Sequence, residues 1–134
     1  MRRELIALAV AATLAGAAAL AQDRNEARFV GIYDGAIFST GADREGATTL
    51  RLAPGGGLVG DYAFREANGE TISGELSACA ARRNRVTCRW GDLYGVGDLQ
   101  MDFAADASTF RGRWRADDVR RIWNRWTGRR RVTS

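Results

Sequence analysis

The chain has 134 residues, 20 basic against 16 acidic, and carries a net charge of +4 with no histidine at all. Every basic residue is arginine, so Ser-His-Asp and Cys-His nucleophiles, histidine metal centres and lysine Schiff bases have no residues to build them. The composition predicts a protein that is not an enzyme and that holds neither a metal nor a cofactor.

In chain order, the first feature is Met1-Arg2-Arg3 followed by an uncharged apolar run from Leu5 to Leu20 and the small-x-small triplet Ala19-Leu20-Ala21. This is the pattern of a secretory signal peptide over 1–21. The run is 16 residues long and rich in alanine, marginal for a hydrocarbon core of about 30 Å, so no transmembrane segment is expected after cleavage. A single secreted or periplasmic domain over 22–134 follows. Cys79 and Cys88 are the only cysteines, and in an exported chain they are expected to form one disulfide.

From Phe29 to Trp114 the apolar positions recur every second residue. Leu58, Gly60, Tyr62 and Phe64 alternate with Val59, Asp61, Ala63 and Arg65; Gly97, Leu99, Met101 and Phe103 alternate with Asp98, Gln100 and Asp102. Half-buried antiparallel strands produce this pattern. Turn signals at Gly41–Asp43, Gly55–Gly57, Asn68-Gly69, Arg83-Asn84, Gly91-Asp92 and Ala105-Asp106 divide the chain into strands near 29–33, 47–53, 58–66, 70–78, 85–91, 96–104, 109–115 and 122–130. The fold class is therefore all-β: an antiparallel up-and-down meander closing as a small barrel of about eight strands.

Register can be read at two places. A three-residue loop, Ala67-Asn68-Gly69, sets Phe64 opposite Ile72 and Tyr62 opposite Gly74, keeping inward residues paired with inward residues. If Cys79 faced Cys88 with no irregularity, Leu76 and Trp90 would point to opposite faces, which predicts a bulge between Ser77 and Ala80.

The repeats Gly31-x-Tyr33, Gly60-x-Tyr62, Gly74-x-Leu76, Phe110-x-Gly112-x-Trp114 and Trp126-x-Gly128 resemble those of small exported eight-stranded barrels of the avidin/lipocalin-like kind, and are similar to bacterial secreted domains with the same spacing. The resemblance implies a meander barrel. It does not extend to biotin binding, because the polar set around a bicyclic ligand has no match here. Tyr33, Tyr62, Phe64 and Trp114 are the expected barrel interior, either packed as core or lining an open ligand cavity.

The acids offer no catalytic arrangement. Glu66, Glu70 and Glu75 are expected at a hairpin tip or on an outward face. Asp92, Asp98, Asp102 and Asp106 match no calcium-loop spacing and are expected to be solvated.

The last predicted strands differ in charge from the rest. Residues 22–110 hold nine arginines against thirteen acids; residues 111–134 hold nine against Asp117 and Asp118. Arg111, Arg113 and Arg115 alternate with Phe110, Gly112 and Trp114, as on an outward strand face. Beyond Asp117, a short amphipathic helix carrying Val119, Ile122, Trp123 and Trp126 competes with a loop followed by a strand whose inner face is Ile122, Asn124, Trp126 and Gly128. The charge asymmetry points to an anionic partner, with Arg111, Arg113, Arg115, Trp123, Arg125 and Arg129 as the expected contact set. Acidic glycans, lipid head groups and acidic protein surfaces are the expected targets, with nucleic acid last. Two alternatives stand beside this accessory-module reading. One is a periplasmic hydrolase inhibitor acting through a projecting 35–46 loop; the other is a small-molecule carrier with an open interior.

Overall fold

The computed structural model describes residues 25–132; the expected signal peptide lies outside them. Among the described residues no helix is long and apolar enough to cross a membrane. After a helical turn at 25–27, eight antiparallel strands form one closed barrel in sequence order: β1 (Gly31–Ser39), β2 (Ala42–Leu52), β3 (Leu58–Arg65), β4 (Thr71–Arg82), β5 (Arg85–Asp92), β6 (Gly95–Phe103), β7 (Thr109–Ala116) and β8 (Asn124–Arg130).

The inward positions fill the interior. Leu50, Tyr62, Leu76, Val86, Leu99, Met101 and Trp126 are all at most 2 % exposed. Glycines let the large rings lie flat against neighbouring backbone. A Cβ on Gly74 would fall 2.2 Å from the Tyr62 ring, and one on Gly128 2.3 Å from the Phe110 ring. Gly74 and Gly128 thus make room for rings of neighbouring strands, whereas Gly60 and Gly112 admit the Thr49 and Trp126 backbone carbonyls, as close packing in a narrow barrel requires.

Both register expectations hold. Phe64 pairs with Ile72, Tyr62 with Gly74 and Gly60 with Leu76, and Gly69 takes a φ of 86° at the hairpin tip. The β4–β5 ladder shifts between Ser77 and Ala80, with Ala78 at a φ of 49°. This bulge moves the inward parity of β4 from Ile72, Gly74 and Leu76 to Cys79 and Ala81, which pack against the core. Cys79 can then form its disulfide with Cys88, itself buried.

The first hairpin differs from expectation. The segment 35–46 is no loop: β1 continues to Ser39, β2 starts at Ala42, and the pairing runs unbroken through Gly35↔Gly46 and Ile37↔Arg44. Thr40 and Gly41 make the turn, both at positive φ, which suits the twist of a two-residue hairpin. Gly35 and Gly46 obscured the alternation because neither shows a side chain to count. Gly35 is where the backbones crowd, a Cβ there lying 2.1 Å from the Thr127 carbonyl oxygen.

The chain after Asp117 is a mixture of the two expectations. Asp117–Val119 forms a single 3-10 turn, and β8 begins only at Asn124. Trp126 and Gly128 face inward, but Ile122 is 49 % exposed, because it precedes the strand and lies on the β7–β8 connection.

One arginine of the C-terminal cluster belongs to the structure rather than to the surface. Arg130 donates from Nη1 to the Val30 carbonyl at 2.7 Å, and from Nη2 to the Arg28 carbonyl at 2.7 Å, the Tyr33 hydroxyl at 2.8 Å and the Ala107 carbonyl at 3.2 Å. Tyr33 in turn donates to the Phe29 carbonyl. This fan of charged bonds closes the end of the barrel where β1 begins and β8 ends. Arg130→Met should cost about 2–3 kcal/mol, since it strands several acceptors at once. Urea unfolding measures the loss, and faster amide exchange at the β1–β8 seam locates it. The Cys79→Ser/Cys88→Ser variant should lose roughly 2.5–3 kcal/mol, the chain-entropy value for a loop of this size, and wild type with reductant should approach it.

Candidate functional site

Two regions gather polar or reactive groups: the outer face of β6–β8, and the mouth of the barrel opposite the Arg130 end. On the outer face, neighbouring strands bring the sequence's arginines together. Arg113 of β7 stands opposite Arg125 of β8, and Arg111 opposite Thr127. Arg111 is thereby diagonal to both Arg125 and Arg129.

These arginines are not equivalent. Arg115 donates from Nε to Asp98 at 3.0 Å. It joins a mesh in which Arg89 binds Asp117 through both terminal nitrogens and Asp98 at 2.7 Å, while Arg120 approaches both aspartates at 3.3 Å. Arg125 reaches Asp43 at 3.2 Å, at a well-exposed site. Arg113 donates to the Gln100 side chain, and Arg111 and Arg129 are exposed. Among the described residues none of these three has an ion-pair partner. Trp123 lies half-buried against the face, with the Arg113 and Arg115 guanidinium carbons 4.2 and 4.4 Å from its ring centroid. Its ring holds two arginine side chains in place, as a cation–π platform does.

The six residues expected at a contact surface therefore divide. Arg111, Arg113 and Arg129 are available, Arg125 is loosely paired, Arg115 is committed to Asp98, and Trp123 supports the guanidinium groups. Asp98 and Asp102 do point outward as expected, but they are ion-paired, Asp102 to Arg85 at 2.6 Å. No group of acidic or cysteine side chains among the described residues could hold a metal ion.

At the mouth lie two acids expected in solvent, Glu66 and Asp92, which the fold instead draws inward. Glu66 is not a solvated hairpin-tip acid: it is 8 % exposed and accepts from the hydroxyls of Ser39 at 2.7 Å and Thr40 at 2.6 Å, with Arg44 at 3.5 Å. The Thr40 and Ser39 bonds hold its carboxyl below the usual carboxylate range. Asp92 is half-buried and accepts the Tyr62 hydroxyl at 2.6 Å and the Tyr94 amide at 2.8 Å. Burial first, and Asp92 second, pushes the Tyr62 phenol well above its ordinary value. The signal was in the alternation itself. Extending Leu58, Gly60, Tyr62, Phe64 by one step reaches Glu66, and extending Val86, Cys88, Trp90 reaches Asp92.

The interior residues expected from sequence are packed, not arranged around an open space. Tyr33, Tyr62 and Phe64 are buried, and the last two stack in parallel, their centroids 6.4 Å apart. Trp114 is half-buried at the mouth, edge-on to Trp90 at 5.3 Å. The space left beneath the mouth is about 30 Å³, far from the several hundred Å³ of a small-molecule cavity.

No protein-family model matches the chain, and neither the curated proteins nor the solved structures offer a match. The site must be read from its own chemistry.

The Asp98–Arg89–Asp117–Arg115–Arg120 mesh carries a pH signature. Bonding from Arg89, with Arg115 adding to it at Asp98, lowers the pKa of both carboxyls. A carboxyl whose pKa is lowered on folding contributes stability above its unfolded value, about 4, and that stability is lost as pH falls through the folded value. Urea midpoints should therefore hold steady above about pH 5 and fall steadily below pH 4. In Asp98→Asn the fall should be shallower, and an unchanged slope would remove the mesh from the account.

Proposed function

We propose that this protein is a secreted or periplasmic binding or accessory module, without a catalytic step, that holds an anionic partner on the outer face of β7 and β8. The observation that carries the reading is the cross-strand pair Arg113–Arg125, with Arg111 diagonal to Arg125 and Arg129 diagonal to Arg111. Like charges directly opposed across an antiparallel ladder are destabilising. Acids elsewhere on this surface pair with arginines, yet among the described residues Arg111, Arg113 and Arg129 form no ion pair, Asp102 opposite Arg111 being bound to Arg85. An oxyanion bridging them would relieve the repulsion and use the planar fork of arginine for bidentate contacts. Neighbouring positions on such a face lie roughly 5–7 Å apart, a spacing that suits a chain or surface of phosphate, sulfate or carboxylate groups better than one small anion. The exported location rests on the apolar leader in the sequence and on the disulfide, which fits an oxidising compartment.

The other two readings find less support. A hydrolase inhibitor would draw on a projecting segment at 35–46, where the chain runs as paired strand. A carrier would draw on an interior wider than the one present.

The test is retention at low salt on three supports: a sulfated polysaccharide, a polyuronate, and vesicles containing an anionic lipid. At about 1 kcal/mol per arginine near an anionic surface, Arg111→Ser/Arg113→Ser/Arg129→Ser should bind roughly 100-fold more weakly on whichever support retains wild type. Arg65→Ser, on another face, should bind as wild type does. No retention of wild type on any support, or equal retention of the triple variant, overturns the reading.

A further inference from the structure

The barrel mouth differs in chemistry from the arginine face, and its hydrogen-bond donors are spent. The Trp90 indole N–H donates to the Arg115 carbonyl at 3.1 Å, that of Trp114 to the Phe38 carbonyl at 3.0 Å, and that of Trp126 to the Thr48 hydroxyl at 2.8 Å. Tyr62 donates to Asp92 and Ser39 to Glu66, and the Tyr94 hydroxyl also faces Glu66. The groups still open toward the mouth are aromatic rings and the remaining lone pairs of the Asp92 carboxylate, which accepts two bonds and has sites for about four. Asp92 forms no ion pair among the described residues. A pocket of acceptors and π faces suits a group that is positive and only donates.

Size narrows the choice. About 30 Å³ is open to the centre of a water-sized group, so the mouth receives a small head group rather than a drug-sized ligand. A primary ammonium is a head group of that size, and its three N–H donors match the open acceptor sites of Asp92. The rim narrows it further. Leu93, Tyr94 and Val96 on the β5–β6 hairpin are 72, 53 and 53 % exposed, and Val119 and Ile122 on the β7–β8 connection are also exposed. Trp114 joins the two areas, since it lines both the mouth and a shallow apolar cleft with Val119 and Ile122.

We infer that the barrel mouth is a lysine-binding site: Asp92 and the rings of Tyr62, Trp90 and Trp114 receive the ammonium of a lysine on a partner protein, and the apolar rim receives that lysine's hydrophobic neighbours. A second copy of this chain offers no lysine, and the exposed apolar rim favours a polypeptide over a free amine. The site differs from the arginine face in sign of charge and is tested at different residues, so either can fail without the other.

Three probes test it by NMR titration of the full domain: pentylamine, a short peptide with a lysine flanked by leucines, and the same peptide acetylated at the lysine Nε. The lysine peptide should shift the Asp92 and Tyr94 amides and the Trp90 and Trp114 indole signals. It should bind at least tenfold more tightly than pentylamine, and acetylation should weaken it at least tenfold. Asp92→Asn keeps an acceptor for the Tyr94 amide and turns an NH2 that can donate to the Tyr62 hydroxyl oxygen while removing the charge, and should weaken peptide and pentylamine alike. Val119→Ser/Ile122→Ser, at exposed positions, should weaken the peptide and leave pentylamine unchanged. Equal binding of the acetylated peptide, or an unaffected Asp92→Asn, overturns the ammonium site. Pentylamine binding as tightly as the peptide overturns the protein partner, and N-acetylglucosamine producing the same shifts in place of the amine overturns both.

Discussion

Arg130 sits where the last strand meets the first, and its guanidinium is bonded to three backbone carbonyls and to the Tyr33 hydroxyl. Closing a sheet on itself leaves no edge to pair with another chain, but it requires the first and last strands to find each other across the whole sequence. Here the meeting is secured by Arg130 at one end, by the Thr127 hydroxyl accepting the Ala36 amide along the seam, and by the Arg131–Asp34 pair outside. Gly35 permits the approach, because any side chain there would strike the opposing backbone. Inside and outside acquire meaning only once that seam is closed.

Closure also sorts the arginines by work done. One clamps the seam, several neutralise aspartates on neighbouring strands, and a few are left facing solvent together. The arginine-rich end of the chain is therefore not one uniform patch. Arg115 and Arg113 are two residues apart on the same face of β7, yet one is bound to Asp98 and the other only to an uncharged side chain. Such a difference depends on which residues of β6 and β8 lie alongside, and therefore on register.

At the opposite end, the mouth gathers residues from four hairpins that are far apart in sequence. Ser39 and Thr40 come from the first, Glu66 from the second, Asp92 and Tyr94 from the third, and Trp114 leads into the fourth. The hairpin acids turn inward because each continues the inner parity of its strand, and they remain there because hydroxyl and amide donors surround them. Filling the interior with aromatic rings stiffens the scaffold and leaves only a small opening on top. The chemistry offered by that opening is set by which donors the rings have already used.

Much of this architecture was legible in the linear chain. Alternation with period two dictated an antiparallel barrel; the parity conflict between Leu76 and Trp90 demanded a bulge beside Cys79, and the parity of Phe64 and Ile72 demanded a three-residue turn. Those inferences succeed because the side-chain period of a strand is local and a one-residue error exposes a whole hydrophobic face. The chain alone could not decide whether the interior was full, where β1 ended, or which arginines were free. Volume depends on how rings from opposite walls interdigitate, glycine hides the face it occupies, and an ion pair forms only where folding brings two charges within a few ångströms. Those three properties belong to distances between residues remote in sequence, so only the closed barrel could set them.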